Sequence, residues 1–422
     1  MAISSHRRRL LFLSPVMPAD RGNGLAMRVG FFLDAYSREF DIDLAVIPIA
    51  SAPEGALEFA NRRVARLEVF AHPHPDSHLA LVIALKDPAA RLAAFRRYGR
   101  PSLAGFAHDP VREVLSRRMP LESYDLVHVS RLYIAGLAQA WPEKHAAKRP
   151  HLVIDCDEDD YEAYRWIAAI EQKRGCGQNA AWAAAEAEAF GDLARNVLPN
   201  FELGFAASHV EAKSLAGSIR KVLSVPNVLP RYVRWRTRRR TAAKTVVFVG
   251  SMGYAPNADA AHWLLKDIWP RLRRAFGKPL RLIVVGRNPG PTLIRLAKRR
   301  DVRVTGAVAD VGSFYCRADL AVVPIRAGGG TRFKLMEAAA WRVPIVSTSF
   351  GARGTAFRAG RELLIADDPG KFARSCAAVL RSAALSDRLT RAARRRMTQD
   401  YRYDQWVQRV LQAVANLDIA GR

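Results

Sequence analysis

The stretch LAVVPIRAGGGTRFKLMEAAAWRVPIVST, residues 320–348, sets an apolar run, three glycines, an amphipathic segment and a second apolar run end to end. Strand, short turn, helix and returning strand make the unit of a parallel sheet, because parallel neighbours need a long crossover. Gly328, Gly329 and Gly330 leave backbone N–H groups bare at the mouth of the helix, where Thr331 is the expected N-cap. Free N–H groups and the helix dipole together favour an anion there. At helical spacing Leu335, Met336 and Ala339 share the packed side, while Lys334 and Glu337 stand together on the other. Arg332 and Lys334 oppose the dipole of an empty helix, so a bound diphosphate is the partner that suits them. Glu337 is placed to accept hydrogen bonds from neighbouring hydroxyls such as a ribose pair, its alternative being an i,i+3 salt bridge with Lys334.

The same grammar runs outward in both directions. TVVFVGS from 245, a helix from Asn257 to Phe276, LRLIVVG, a helix from Thr292 and DVRVTGAV precede the opening stretch, and ELLIADD follows it. The first half alternates in the same way through RLLFLS, a helix from Leu25 to Phe40, DIDLAVIPI, VARLEVFAH, YDLVHVS and HLVIDCD, followed by a long helix from about 179 to 198. Strand and helix in alternation predict an α/β fold of two doubly wound, Rossmann-like domains, with ligands at the carboxyl ends of both sheets. Residues 1–230 form the N-terminal domain, 231–243 a basic linker, 244–400 the C-terminal domain and 401–422 a closing helix.

A chain of 422 residues, half of them hydrophobic, accommodates two such cores. No apolar run is long enough for a membrane span, and the start lacks the pattern of a secretory signal. Cys156, Cys176, Cys316 and Cys376 are isolated from one another and from zinc-spaced histidines, which points to a reduced, cytoplasmic protein without structural metal. The net charge of +26 clusters at 6–9, 231–240, 297–303 and 391–396, stretches that suit phosphate ligands or an anionic membrane surface. Only 12 of the 66 cations are Lys, a bias that a GC-rich coding sequence also produces. No aromatic-interleaved nucleic-acid motif accompanies the arginines, so no nucleic-acid partner is expected.

Four further stretches carry candidate chemistry. FVGSMGYAPNADAAHW, from Phe248, ends a strand at Gly250 and enters a helix through Asn257. PADRGNG, from Pro18, does the same with Gly22 and Gly24, which leave room for a phosphate or sugar. DCDEDD, from Asp155 to Asp160, imitates a metal-binding pair, but in a chain of two such domains it is better taken as a loop near an acceptor, with Asp157 its main functional candidate. His128, in YDLVHVS, is either a catalytic group or a satisfied core histidine.

These motifs together resemble a GT-B glycosyltransferase of the large retaining group 1 family, whose donors are nucleotide sugars. The resemblance spans nearly the whole chain through RGNGLAMR, YDLVHV, VPNV, FVGSMGYAPNADA, VRVTGAVADVGSFYCRADLAVVP and GGGTRFKLMEAAAWRVPIVST. Within the family the chain is most similar to a subgroup associated with bacterial exopolysaccharide assembly. The resemblance implies two domains facing across a cleft, an N-terminal acceptor domain, a C-terminal donor domain and a last helix packing back on the first domain. It implies UDP- or GDP-linked sugar as donor, a saccharide or lipid-linked saccharide as acceptor, retention, and no metal or other cofactor. Glu337 matches the second glutamate of the family's E-x7-E motif, which holds the ribose, whereas Gly329 stands at the first. Backbone groups of Gly329, Gly330 and Thr331 then replace that carboxylate.

Ser251 and Asn257 stand where many members carry Arg and Lys for the diphosphate, so Arg332 and Lys334 are the expected substitutes. Arg287 and the backbone near Val308 would face the base, with Gly250 and Gly328 lining the site. The family commonly has a His just after the strand that holds His128, where this chain has Ser130. Two alternatives stand beside the transferase: a nucleotide-sugar epimerase of the same fold, or a non-enzymatic basic protein binding nucleic acid or membrane.

Overall fold

A computed structural model describes residues 7–71, 76–139, 149–229, 243–329 and 333–420, with side chains described to 417. The expected basic linker therefore lies outside the described residues except for its last residue, and so do Gly330, Thr331 and Arg332. The chain divides into two compact units, one of residues 1–225 and 404–422, the other of residues 226–403.

Unit 1 is built on a seven-stranded parallel sheet. Its strands are β1 (Arg8–Ser14), β2 (Phe40–Val46), β3 (Arg66–Val69), β4 (Leu126–Ser130), β5 (His151–Asp157), β6 (Leu203–Ala206) and β7 (Val222–Ser224), in the order β3-β2-β1-β4-β5-β6-β7. Leu10 to Leu13 of β1 are wholly buried, as expected for a central strand covered by helices on both faces. The first helix, Gly24–Tyr36, ends four residues earlier than its periodicity predicts, because Phe40 already opens β2. Helices Ser77–Ala84, Pro88–Tyr98 and Asp109–Arg118 fill a region that the sequence pattern leaves unassigned. The last helix, Tyr403–Ala420, buries Trp406, Val407, Val410, Ala413 and Val414 along one stripe, and Trp406 meets Phe32 edge-on at 4.9 Å.

Unit 2 has a six-stranded parallel sheet made of β8 (Lys244–Val249), β9 (Leu280–Val285), β10 (Val302–Val304), β11 (Leu320–Val323), β12 (Ile345–Ser347) and β13 (Leu364–Ile365). The order β10-β9-β8-β11-β12-β13 reverses direction between β8 and β11. At such a reversal the crossovers leave to opposite faces and open a crevice at the carboxyl ends of the two strands, where ligands bind in this class of fold. In unit 1 the equivalent point lies between β1 and β4.

Candidate functional site

The carboxyl edge of the unit 2 sheet is nearly bare backbone. Gly250 and Gly286 follow β8 and β9, and Gly286, at φ 152°, sits so close to Gly250 that an added Cβ would lie 1.8 Å from the Gly250 carbonyl oxygen. Gly286 in turn forms a bridge with Gly306, after β10. Arg287 is exposed beside this floor and donates from Nε to Ser251 Oγ at 3.4 Å, while its carbonyl accepts from Met252 N at 2.9 Å. Val308 lies beyond Gly306, half-buried.

Asn257 does not cap its helix. Helix Ala255–Trp263 is preceded by Tyr254 at the N-cap, so Asn257 falls inside the first turn and its side chain folds back to donate from Nδ2 to Ser251 O at 3.0 Å. It fills the space that a side chain at position 250 would need, since a Cβ on Gly250 would lie 2.8 Å from the Asn257 amide carbon. From across the crevice Lys334, on helix Phe333–Ala340, donates from Nζ to Asn257 Oδ1 at 2.8 Å. A second tie spans the same crevice: Arg326, just after β11, makes a bidentate pair with buried Asp259 at 2.7 and 3.0 Å. Gly328 has φ 100°, and a Cβ there would come within 2.8 Å of the Tyr254 hydroxyl, so only glycine suits the position.

Helix Phe333–Ala340 buries Leu335, Met336 and Ala339 completely, as its periodicity predicts. Lys334 and Glu337 diverge on the other side, Lys334 to Asn257 and Glu337 to Tyr315, whose hydroxyl donates to Glu337 Oε2 at 3.3 Å. Burial pushes the Glu337 carboxyl up to about 7, against the Tyr315 hydrogen bond and the Lys334 ammonium, while Asp310 adds to the rise. Tyr315, Arg326 and Asp259 are site residues that the sequence reading missed. Their signal is tertiary, because each acts through a partner distant in the chain.

Gly22 and Gly24, the other glycines expected at the donor, belong to unit 1. Gly22 has φ 105° and Gly24 opens the first helix behind an Asn23 cap, whose Oδ1 accepts from Ala26 N at 2.9 Å.

The carboxyl edge of the unit 1 sheet is charged and closed on itself. Arg28, on the first helix and wholly buried, donates from Nε and Nη2 to both oxygens of Asp155 at 2.8 and 2.7 Å and from Nη1 to Val225 O at 2.9 Å. Asp157, at φ 58° where β5 ends, pairs with Arg28 at 3.5 Å and with Arg131 at 3.4 Å. Arg131, at φ 79° where β4 ends, also binds Glu158 at 3.1 Å and Asp160. Burial, the largest influence, pushes the Asp160 carboxyl up to about 7 despite Arg131. Two adjacent strand ends thus hold non-glycine residues in the left-handed region, a local cost of about 1–3 kcal/mol each that the ion pairs over-determine.

The structure places His128 in the core of unit 1, the second of the two roles that its sequence leaves open. Its ring is wholly buried among Phe12, Phe32 and Phe205, with Nδ1 against the Tyr36 hydroxyl at 3.1 Å and Nε2 against Ser130 Oγ at 3.5 Å. Burial first, then the charge of Arg28, holds it well below the usual histidine range. An imidazole kept neutral inside an aromatic cage packs the core and has no path to a substrate proton. Among the described residues no group of three or more His, Cys, Asp or Glu is arranged to hold a metal ion.

Residues 243–382 match the family model of Glycosyl transferases group 1. Among curated proteins none matches the chain. Its fold is that of sucrose-phosphate synthase from Thermosynechococcus elongatus, at TM-score 0.66 and 14% identity over 98% of this chain and 100% of that one. HepE from Anabaena, solved with UDP and glucose, aligns at TM-score 0.62 and 12% identity over 97% and 100% of the two chains. TarM from S. aureus, solved with UDP and alpha-GlcNAc-glycerol among its ligands, aligns at 0.62 and 8% over 96% and 99%. The fold is therefore GT-B, and the chain is a glycosyltransferase. Its unit 2 carries the group 1 domain.

Proposed function

We propose that the protein moves a sugar from a nucleoside diphosphate donor to a hydroxyl of a saccharide or lipid-linked saccharide, with retention at the anomeric carbon and without a metal. The observation that carries this reading is the Lys334–Asn257 hydrogen bond across the β8/β11 reversal, one helical turn from Glu337. A half-buried cation that donates to a neutral amide can also meet a diphosphate, and a carboxylate one turn deeper lies where a ribose would present its hydroxyls. Charge developing on the departing diphosphate is met by Lys334 and by backbone N–H groups in fixed positions. The leaving phosphate itself takes the acceptor proton, so Asp157, tied to two arginines, serves as a positioning residue rather than a base. The family match and the UDP-bound neighbours support UDP as the first donor base to test.

We assign the protein to the cytoplasm and to exopolysaccharide or other cell-surface polysaccharide assembly. Incubation with a panel of nucleotide sugars, with and without saccharide acceptors and with EDTA, tests the whole reading. Transfer or slow donor hydrolysis that releases UDP and survives EDTA is expected. A new nucleotide sugar formed without acceptor would make the protein an epimerase, and loss of turnover in EDTA would make it metal-dependent. Gly329→Glu sharpens the donor contact: higher or altered activity identifies a replaceable contact, and inactivity with an intact fold identifies a required bare backbone.

A further inference from the structure

Helix Ser77–Ala84 and the residue that ends it contain seven consecutive apolar residues, LALVIAL from Leu79 to Leu85, yet the helix is covered on one side only. Leu79 and Val82 are buried against Phe95 and Ala185, and Phe95 stacks on Trp182 with centroids 4.4 Å apart. That contact holds the helix, together with its neighbour Pro88–Tyr98, on the long helix Gly177–Val197. Leu81, Ile83 and Leu85 point away from it and are 68%, 54% and 39% exposed. Water penalises three large aliphatic side chains clustered in five residues, and a clustered exposed apolar patch usually marks a surface that something covers.

The surroundings say what. From Lys86 to Arg100 the chain carries five cations, Lys86, Arg91, Arg96, Arg97 and Arg100, against Asp87 alone. The Asp87 carboxylate caps the second helix, accepting from Ala90 N at 2.6 Å. Arg91 donates from Nε to Leu85 O at 2.8 Å and from Nη2 to Lys86 O at 3.4 Å, which sets a guanidinium beside the exposed leucine. Arg96 and Arg97 are exposed in the last turn of the second helix. Aliphatic side chains with no hydroxyl or indole among them, next to an excess of cations, fit a bilayer surface better than a protein face, which would call for aromatic anchors and balanced charge.

We propose that this helical hairpin docks the protein on an anionic membrane, with Leu81, Ile83 and Leu85 entering the boundary between headgroups and acyl chains and Lys86, Arg91, Arg96 and Arg97 meeting the lipid phosphates. An eight-residue helix is too short to cross a bilayer, and among the described residues no helix is long and apolar enough to do so, so the contact is peripheral. The inference does not depend on the transfer reaction proposed above and has its own readout.

Flotation of the full chain with phosphatidylcholine vesicles, with and without phosphatidylglycerol, tests it. Wild type is expected to float with phosphatidylglycerol vesicles and hardly with phosphatidylcholine alone. The triple variant Leu81→Gln, Ile83→Gln, Leu85→Gln should bind at least about tenfold more weakly, with an unchanged melting midpoint. Lys86→Glu with Arg96→Glu and Arg97→Glu should weaken binding and remove the preference for phosphatidylglycerol. Undiminished flotation of the folded triple Gln variant would overturn the proposal by assigning binding to the other basic stretches. So would a wild type that ignores both vesicles but forms a dimer which the triple Gln variant loses, since the face would then belong to a second copy.

Discussion

The carboxyl edges of the two sheets solve one topological problem with opposite chemistry. At the unit 2 edge Gly250, Gly286, Gly306 and Gly328 keep side chains out, and the cation Lys334 rests on the neutral amide of Asn257. At the unit 1 edge Arg28 and Arg131 are locked to Asp155, Asp157, Glu158 and Asp160. A cation that donates to an amide and lies over the Phe248 ring can add a contact to an incoming anion, whereas a cation bound by buried carboxylates is already neutralised and serves to fix backbone. The contrast supports the proposal that a diphosphate binds at the unit 2 edge, with the unit 1 edge kept rigid.

The largest expected effect is on the rigid edge. Arg28→Met strands the buried Asp155 carboxylate and should cost unit 1 about 3–5 kcal/mol, read by denaturant unfolding. A loss below about 1 kcal/mol would mean that the pair contributes little and would erase the contrast. On the binding edge Lys334→Ala should weaken UDP by about ten- to a hundredfold in calorimetry, as expected for the loss of a charge-assisted contact, with little change in melting midpoint. Equal losses of stability and affinity there would make Lys334 structural, as Arg28 is.

Glu337 refines the comparison through pH. Its folded-state carboxyl titrates at about 7 against an ordinary 4.5, so at about pH 6 most molecules carry it protonated, a weaker acceptor for two hydroxyls than the carboxylate. Affinity for uridine, which has no titrating phosphate, should therefore rise up to about tenfold between about pH 6 and about pH 8 and lose that rise in Glu337→Gln. The stability sign runs the other way. The folded state holds the proton more tightly, so its stability is full below about 4.5, falls as pH rises towards about 7 and is level above. Glu337→Gln should lack that decline.

The smallest effect on turnover belongs to His128→Gln. A caged imidazole predicts normal activity per folded molecule, and a loss of several orders of magnitude would restore His128 to the catalytic set. Because its folded form resists protonation, wild-type stability should be full above about pH 6.5 and fall as pH drops below it, a sensitivity that His128→Gln should reduce.

Much of the fold was legible in the sequence because buried parallel strands are continuous apolar runs and their helices are amphipathic. TVVFVGS and LAVVPI mark β8 and β11 almost to the residue, and Leu335, Met336 and Ala339 mark the packed face of the helix between β11 and β12. Helix Ser77–Ala84 escaped the pattern because LALVIAL is apolar all round, so periodicity gives it no sense of inside and outside. At the candidate site, Glu337 and Lys334 followed from helix geometry and family resemblance. Tyr315, Arg326 and Asp259 did not, because a hydrogen bond between residues 22 apart and an ion pair between residues 67 apart leave no spacing to detect.

Local sequence by itself determined the alternation of strand and helix, the doubly wound class, and the bare glycines at the strand ends, since apolar period and backbone freedom are properties of neighbours along the chain. Only the tertiary structure decided what each charge does. It gave Lys334 a hydrogen bond to Asn257 and Glu337 one from Tyr315, placed His128 among aromatic rings, and drew Asp155, Asp157, Glu158 and Asp160 into ion pairs with Arg28 and Arg131. The role of a charged or titratable side chain is set by its burial and by partners brought from distant segments, and neither is written in its immediate sequence.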